Sequence, residues 1–140
     1  MKSFNWQDFF RHQPVFSTLT EAELTELLSD EMSQERADSQ GTIILREGEQ
    51  GDSVFLIGSG SVQVMLRGQG DQQLPLSILK AGEFFGEMAV LEHKPRSATV
   101  MAREDCTLLE VNGQAFRKLL QAHPDIQSKV QSKMTERVNR

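Results

Sequence analysis

Cysteine is nearly absent: the 140-residue chain has one, Cys106, so no disulfide forms within it. That usage suits a reducing compartment, and the cytoplasm is the expected location. Cys106 lies in a strand-like run and reads as a small buried hydrophobe. Long apolar runs are missing as well, so no segment is suited to insert into a membrane. The start of the chain, Met1 to Asp8, lacks the apolar centre of a signal peptide. Nor is there a basic cluster. The formal net charge is −5, which argues against electrostatic binding of DNA, RNA or anionic lipid by this chain alone. Lys129, Lys133, Arg137 and Arg140 gather near the end, but Asp125 and Glu136 interrupt them, as on a solvated helix face.

The signatures of catalysis are equally sparse. His12, His93 and His123 are scattered, and His93, between Glu92 and Lys94, reads as solvent-facing. No pair of histidines with a nearby carboxylate suggests a metal. Ser59 in Ile57-Gly58-Ser59-Gly60-Ser61 does not match a nucleophile elbow. Gly48-Glu49-Gln50-Gly51 is not followed by Lys-Ser or Lys-Thr, so a nucleoside-triphosphate loop is not supported. The chain reads as one that binds rather than turns over, with no metal and no cofactor.

What is present fits one domain. At 15.8 kDa, with 38% hydrophobic and 25% charged residues, the chain can bury a single core. Phe4, Trp6, Phe9 and Phe10 give the segment 4–12 an aromatic helical edge. Thr20 with Glu23 forms a capping-box pattern before Leu24, Leu27 and Leu28. From Gly41 to Val111 the pattern turns to short strands: 42–45, 53–57, 61–66, 74–79, 97–102 and 107–111. The segments 53–57 and 61–66, joined across Gly58-Ser59-Gly60, predict a hairpin. Gly41, Gly48, Gly51, Gly58, Gly60 and Gly82 read as turn formers. Short strands at such intervals argue for a sandwich or barrel. Pro124 then opens a helical stretch with Ile126, Val130, Met134 and Val138 in one stripe. The expected division is an N-terminal helical segment 1–30, a β region 31–111 and C-terminal helices 112–140.

The run Phe85-Gly86-Glu87-Met88-Ala89-Val90-Leu91, followed by Pro95-Arg96-Ser97-Ala98-Thr99, carries the chemistry. Gly86 and Glu87 open a short helical segment whose first N–H groups favour an anion. Arg96 adds a permanent charge and a planar fork of donors matched to two phosphate oxygens. Glu87 would repel a phosphate unless it accepts a hydrogen bond from the same ligand, and a ribose hydroxyl is the obvious donor. Eight residues separate Glu87 from Arg96.

These residues resemble the phosphate-binding cassette of the cyclic nucleotide-binding domain family, closely over Phe85 to Ala102. The resemblance implies a mainly β fold with flanking helices: an eight-stranded jelly-roll (a double-stranded β-helix) with N-terminal helices and a C-terminal lid helix. It implies that Phe85, Gly86, Glu87, Met88, Ala89, Arg96, Ser97 and Ala98 meet the ligand's sugar and phosphate. Val62 and Val64 share one strand face, and in this fold that strand lines the cavity. Arg137 on the lid helix would stack on the base. Ser97 at its position leans the ligand toward cAMP, with cGMP the second candidate. The implied role is a non-catalytic sensor whose output is lid movement. The alternative is a jelly-roll that docks a protein or senses another effector. A protein partner or a further domain is expected, and the C-terminal stripe would also serve a homodimer.

Overall fold

The computed structural model describes residues 2–138, with side chains through residue 135. Eight strands form two four-stranded antiparallel sheets. The first runs β1 (Ser33–Asp38), β8 (Cys106–Asn112), β3 (Ser53–Ser59), β6 (Phe84–Phe85). The second runs β2 (Ile43–Leu45), β7 (Thr99–Ala102), β4 (Ser61–Arg67), β5 (Gln73–Lys80). This is the jelly-roll arrangement, with helices at both ends of the chain.

The core has two layers, and β3 belongs to both. Phe55 and Ile57 point between the sheets, where they meet Val62, Leu79, Phe85, Val100 and Leu108. Val54 and Leu56 point the other way, into a layer shared with the helices. A strand buried on both faces reads as a continuous apolar run, which explains Val54-Phe55-Leu56-Ile57. Cys106 opens β8 and is buried, and its thiol is pushed up by that burial.

The helical layer follows from the aromatic edge. α1 (Trp6–Arg11) buries Trp6 and Phe10. Asn5 caps it by accepting from the Asp8 N–H. Glu35 on β1 accepts from the Phe4 N–H at 2.8 Å and from Trp6 Nε1 at 2.9 Å, which holds this segment on the sheet. α2 (Glu21–Leu27) has the complete capping box of Thr20 and Glu23. α4 (Gly113–Ala122) begins at Asn112, whose side chain accepts from the Gln114 and Ala115 N–H groups. α5 (Pro124–Val138) buries Ile126 and Val130 in the same layer, with Met134 packed at its margin. Among the described residues no helix is long and apolar enough to cross a membrane.

Two sequence expectations change here. β3 and β4 do not pair as a hairpin, because they lie in different sheets. Gly60, at φ +86°, turns the chain from one sheet into the other, with the Asp105 carbonyl packed where a Cβ would be. The hairpin is instead β4–β5, paired from Ser61↔Lys80 to Arg67↔Gln73. Gly51 and Gly58 do not have positive φ and are glycines for space. A Cβ at Gly58 would stand 2.7 Å from Trp6, and the space at Gly51 bears on the site.

Candidate functional site

The cassette occupies the end of the roll between β6 and β7. Phe84 and Phe85 pair with Leu56 and Phe55, so the chain leaves the first sheet at a fixed point. The Phe85 ring stacks on Phe55, centroids 5.1 Å apart and planes 7° from parallel. Gly86 follows at φ +89° and turns directly into α3 (Glu87–Glu92). Gly86 is the N-cap of α3 and no side chain caps that end. α3 buries Glu87, Ala89 and Val90, and ends at His93, an exposed residue with φ 54°. Pro95 then delivers Arg96 back toward Gly86.

Arg96 is 5% exposed and held on several sides. Its backbone pairs with the β2–β3 loop: the Arg96 N–H donates to the Glu49 carbonyl and the Gly48 N–H to the Arg96 carbonyl, each at 2.8 Å. The guanidinium Nη1 donates to the Gly86 carbonyl at 3.0 Å and to the Ser53 carbonyl at 3.1 Å. Nη2 reaches Ser53 Oγ at 3.3 Å, and the group stands 5.9 Å from the Phe55 ring centroid. Burial lowers the affinity of Arg96 for its proton, and the charges of Glu110, Asp52 and Glu87 offset this only in part. An arginine remains protonated in such a place.

Two glycines make room for this side chain. A Cβ on Gly51 would lie 2.5 Å from Nε and Nη2 of Arg96, and one on Gly86 would lie 2.9 Å from Nη1. Gly51 is thus a site residue that its turn-like context conceals. Asp52 beside it accepts from the Arg117 Nη1 at 2.8 Å and lies below the usual carboxylate range for that reason.

In front of Arg96 lies a cavity of about 250 Å³. Gly86, Glu87, Met88, Ala89, Arg96, Ser97 and Ala98 line one end, with Phe85 and Val64 alongside. Nine of the expected site residues therefore meet around one space. Val62 does not join them: it is fully buried between the sheets, one pleat repeat deeper on β4 than Val64. The side chain of Arg137 lies outside the described residues. The sequence reading missed the apolar half of the cavity, formed by Leu45, Leu66, Leu76, Ser77, Leu79 and Val100 from four different strands. Only their alternation along β4 and β5 could have pointed to them. None of the described residues of α5 lines the cavity.

The arrangement offers a buried cation, uncapped N–H groups and a buried carboxylate at one end. At the other it offers an apolar slot open to solvent. It can hold a small anion joined to a hydroxyl-bearing ring and a flat apolar group. Among the described residues, no group of three or more histidine, cysteine, aspartate or glutamate side chains could hold a metal ion.

Known proteins match this geometry. The family model described as the cyclic nucleotide-binding domain matches residues 36–123. The cAMP-activated global transcriptional regulator CRP of Salmonella typhimurium is 35% identical over 101 residues, which are 71% of this chain and 48% of the relative. The catabolite activator protein of Thermus thermophilus superimposes with a TM-score of 0.77 at 30% identity, over 91% of this chain and 59% of that one. The regulatory domain of Toxoplasma gondii PKA, crystallised with cAMP, gives 0.70 at 27% identity, over 80% of this chain and 42% of that one. The chain belongs to the cyclic nucleotide-binding domain family. It spans about half the length of the curated relative it matches.

Proposed function

We propose that this chain is a non-catalytic sensor domain that binds a cyclic nucleotide, cAMP in preference to cGMP, acting as one unit over residues 1–140. The observation that carries the reading is the convergence of Arg96, Glu87 and the uncapped start of α3 on a single cavity with an apolar far end. The cyclic phosphate sits against Arg96 and the N–H groups of α3. The ribose 2′-hydroxyl donates to Glu87, which turns a repulsive carboxylate into a ligand contact. The base occupies the slot between Val64 and the leucines of β4 and β5. Ser97 and Ala98 close the phosphate end.

The output is movement of the C-terminal helix. Its first two turns are anchored: Ile126 and Val130 are buried, and Thr18 Oγ1 donates to Asp125 at 2.7 Å. In this reading the C-terminal end of the helix closes over the base, with Arg137 as the stacking group. A ligand shifts that equilibrium only by contacts better made in the closed state. The signal then passes to a protein partner or a further domain.

Calorimetric titration with cAMP and cGMP tests the reading. Binding in the micromolar range or tighter, about −8 kcal/mol or better, with cAMP the stronger ligand, is expected. Absence of heat with both, and an unchanged melting temperature, would leave a jelly-roll interaction module instead.

A further inference from the structure

Behind Arg96, on the side away from α3, a chain of polar groups crosses the first sheet. Ser53, the first residue of β3, lies beside β8, which carries Glu110. Ser53 Oγ donates to Glu110 Oε2 at 2.9 Å and accepts from Arg96 Nη2 at 3.3 Å. A serine hydroxyl has one proton. Spending it on Glu110 leaves only lone pairs toward Arg96, so the serine can act there only as an acceptor. Glu110 is itself held, because Arg36 Nη1 reaches its other oxygen at 3.4 Å. Arg36 in turn donates from Nη2 to Asp38 at 3.1 Å. Both guanidinium groups approach the same ring, Arg36 at 5.5 Å and Arg96 at 5.9 Å from the centroid of Phe55.

The donor count at Arg96 shows what this chain does. A guanidinium has five N–H donors. Nη1 gives both of its own to the carbonyls of Ser53 and Gly86, and Nη2 gives one to Ser53 Oγ. Nε–H and the second hydrogen of Nη2 remain, and these two lie side by side along one edge of the fork. That edge is the arrangement suited to two oxygens of one phosphate.

We infer that Ser53, oriented by Glu110, is a positioning residue for Arg96: it selects which edge of the guanidinium faces the ligand. The inference rests on the binding reading above and names a residue pair outside the cassette that sets the strength of phosphate recognition. Of the charges that stabilise the Arg96 cation, Glu110 contributes most, ahead of Asp52 and Glu87.

A purely structural role for the pair would tie β3 to β8, which the backbone ladder from Ser53↔Asn112 to Ser59↔Thr107 already does. The two roles separate in calorimetry with cAMP, beside ¹⁵N spectra of the Arg96 Nε–H group, assigned by its loss in Arg96→Lys. Ser53→Ala is expected to weaken cAMP binding about tenfold, and Ser53→Thr, which keeps the hydroxyl, to recover most of it. Glu110→Ala shifts affinity in the same direction as Ser53→Ala. The Nε–H signal is expected sharp and shifted from the free-arginine position in the unaltered chain and in Ser53→Thr, and averaged in Ser53→Ala. A Ser53→Ala chain that binds like the unaltered one, with an unmoved Nε–H signal, overturns the inference. So does a lowered melting temperature with affinity retained. If the unaltered chain binds neither nucleotide, the sensor reading falls. The Nε–H signal alone then decides whether Ser53 and Glu110 fix Arg96.

Discussion

Gly51 and Arg96 fit against each other because one of them has no side chain: a Cβ on Gly51 would stand 2.5 Å from both Nε and Nη2 of Arg96. The guanidinium cannot retreat, since Nη1 is tied to the Ser53 and Gly86 carbonyls, and a Cβ on Gly86 would itself stand only 2.9 Å from Nη1. Gly51→Ala is therefore expected to displace the arginine. Overpacking of this kind costs about 1–3 kcal/mol, or a few degrees in melting temperature. Ligand affinity should fall further than stability does, because the displaced group is the one proposed to read the phosphate. Paired melting and titration curves for Gly51→Ala check both effects.

Glu87 should matter through one hydroxyl. Replacing Glu87 by Ala is expected to weaken cAMP about tenfold, the scale of a hydrogen bond to a charged group. The variant should also bind cAMP and 2′-deoxy-cAMP almost alike, whereas the unaltered chain separates them. Competition binding with the two nucleotides checks this. Equal discrimination in both chains would remove Glu87 from the ribose.

Much of the cassette was legible because it is contiguous. Phe85 to Thr99 holds Gly86, Glu87 and Arg96 in one stretch, and the chemistry of an anion site is local to it. The apolar half of the cavity was not, since Leu45, Leu66, Leu76 and Val100 come from separate strands and meet only through sheet register. β1 was also hidden. Ser33-Gln34-Glu35-Arg36-Ala37-Asp38 has no apolar run, and it is a strand because β8 offers a free ladder edge and Arg36 finds Asp38 and Glu110. The expected β3–β4 hairpin failed for a related reason. An apolar run buried on both faces and a glycine turn look alike whether the next strand pairs or crosses to the other sheet.

The stripe on α5 suits a lid, a dimer face or core packing, and its first half is core. Ile126 is fully buried against the helical layer. Ile126→Ala should destabilise the chain by about 2–5 kcal/mol. Chemical denaturation checks the figure; a change below ~1 kcal/mol would mean that the start of the helix is not anchored.

Glu35 makes the N-terminal helix sensitive to acid. Burial pushes its carboxyl up, but hydrogen bonds from Phe4, Trp6 and Ser3 outweigh this and leave it below its ordinary value of 4.5. A carboxyl lowered in the folded state contributes fully above its unfolded value and loses that contribution as the pH falls through the folded one. Docking of α1 should therefore weaken only below about pH 4.5. Trp6 is the sole tryptophan, so its fluorescence reports the event directly. Glu35→Gln should weaken docking at neutral pH and flatten this acid response.

The central claim is that Arg96 binds a cyclic phosphate. Titration of cAMP into the unaltered chain and into Arg96→Ala, at matched melting temperature, tests it most directly. Loss of a buried charge-assisted fork predicts at least a hundredfold weaker binding in the variant, about 2.7 kcal/mol. Equal affinity in the two chains would contradict the account and place the ligand, if any, elsewhere on the roll.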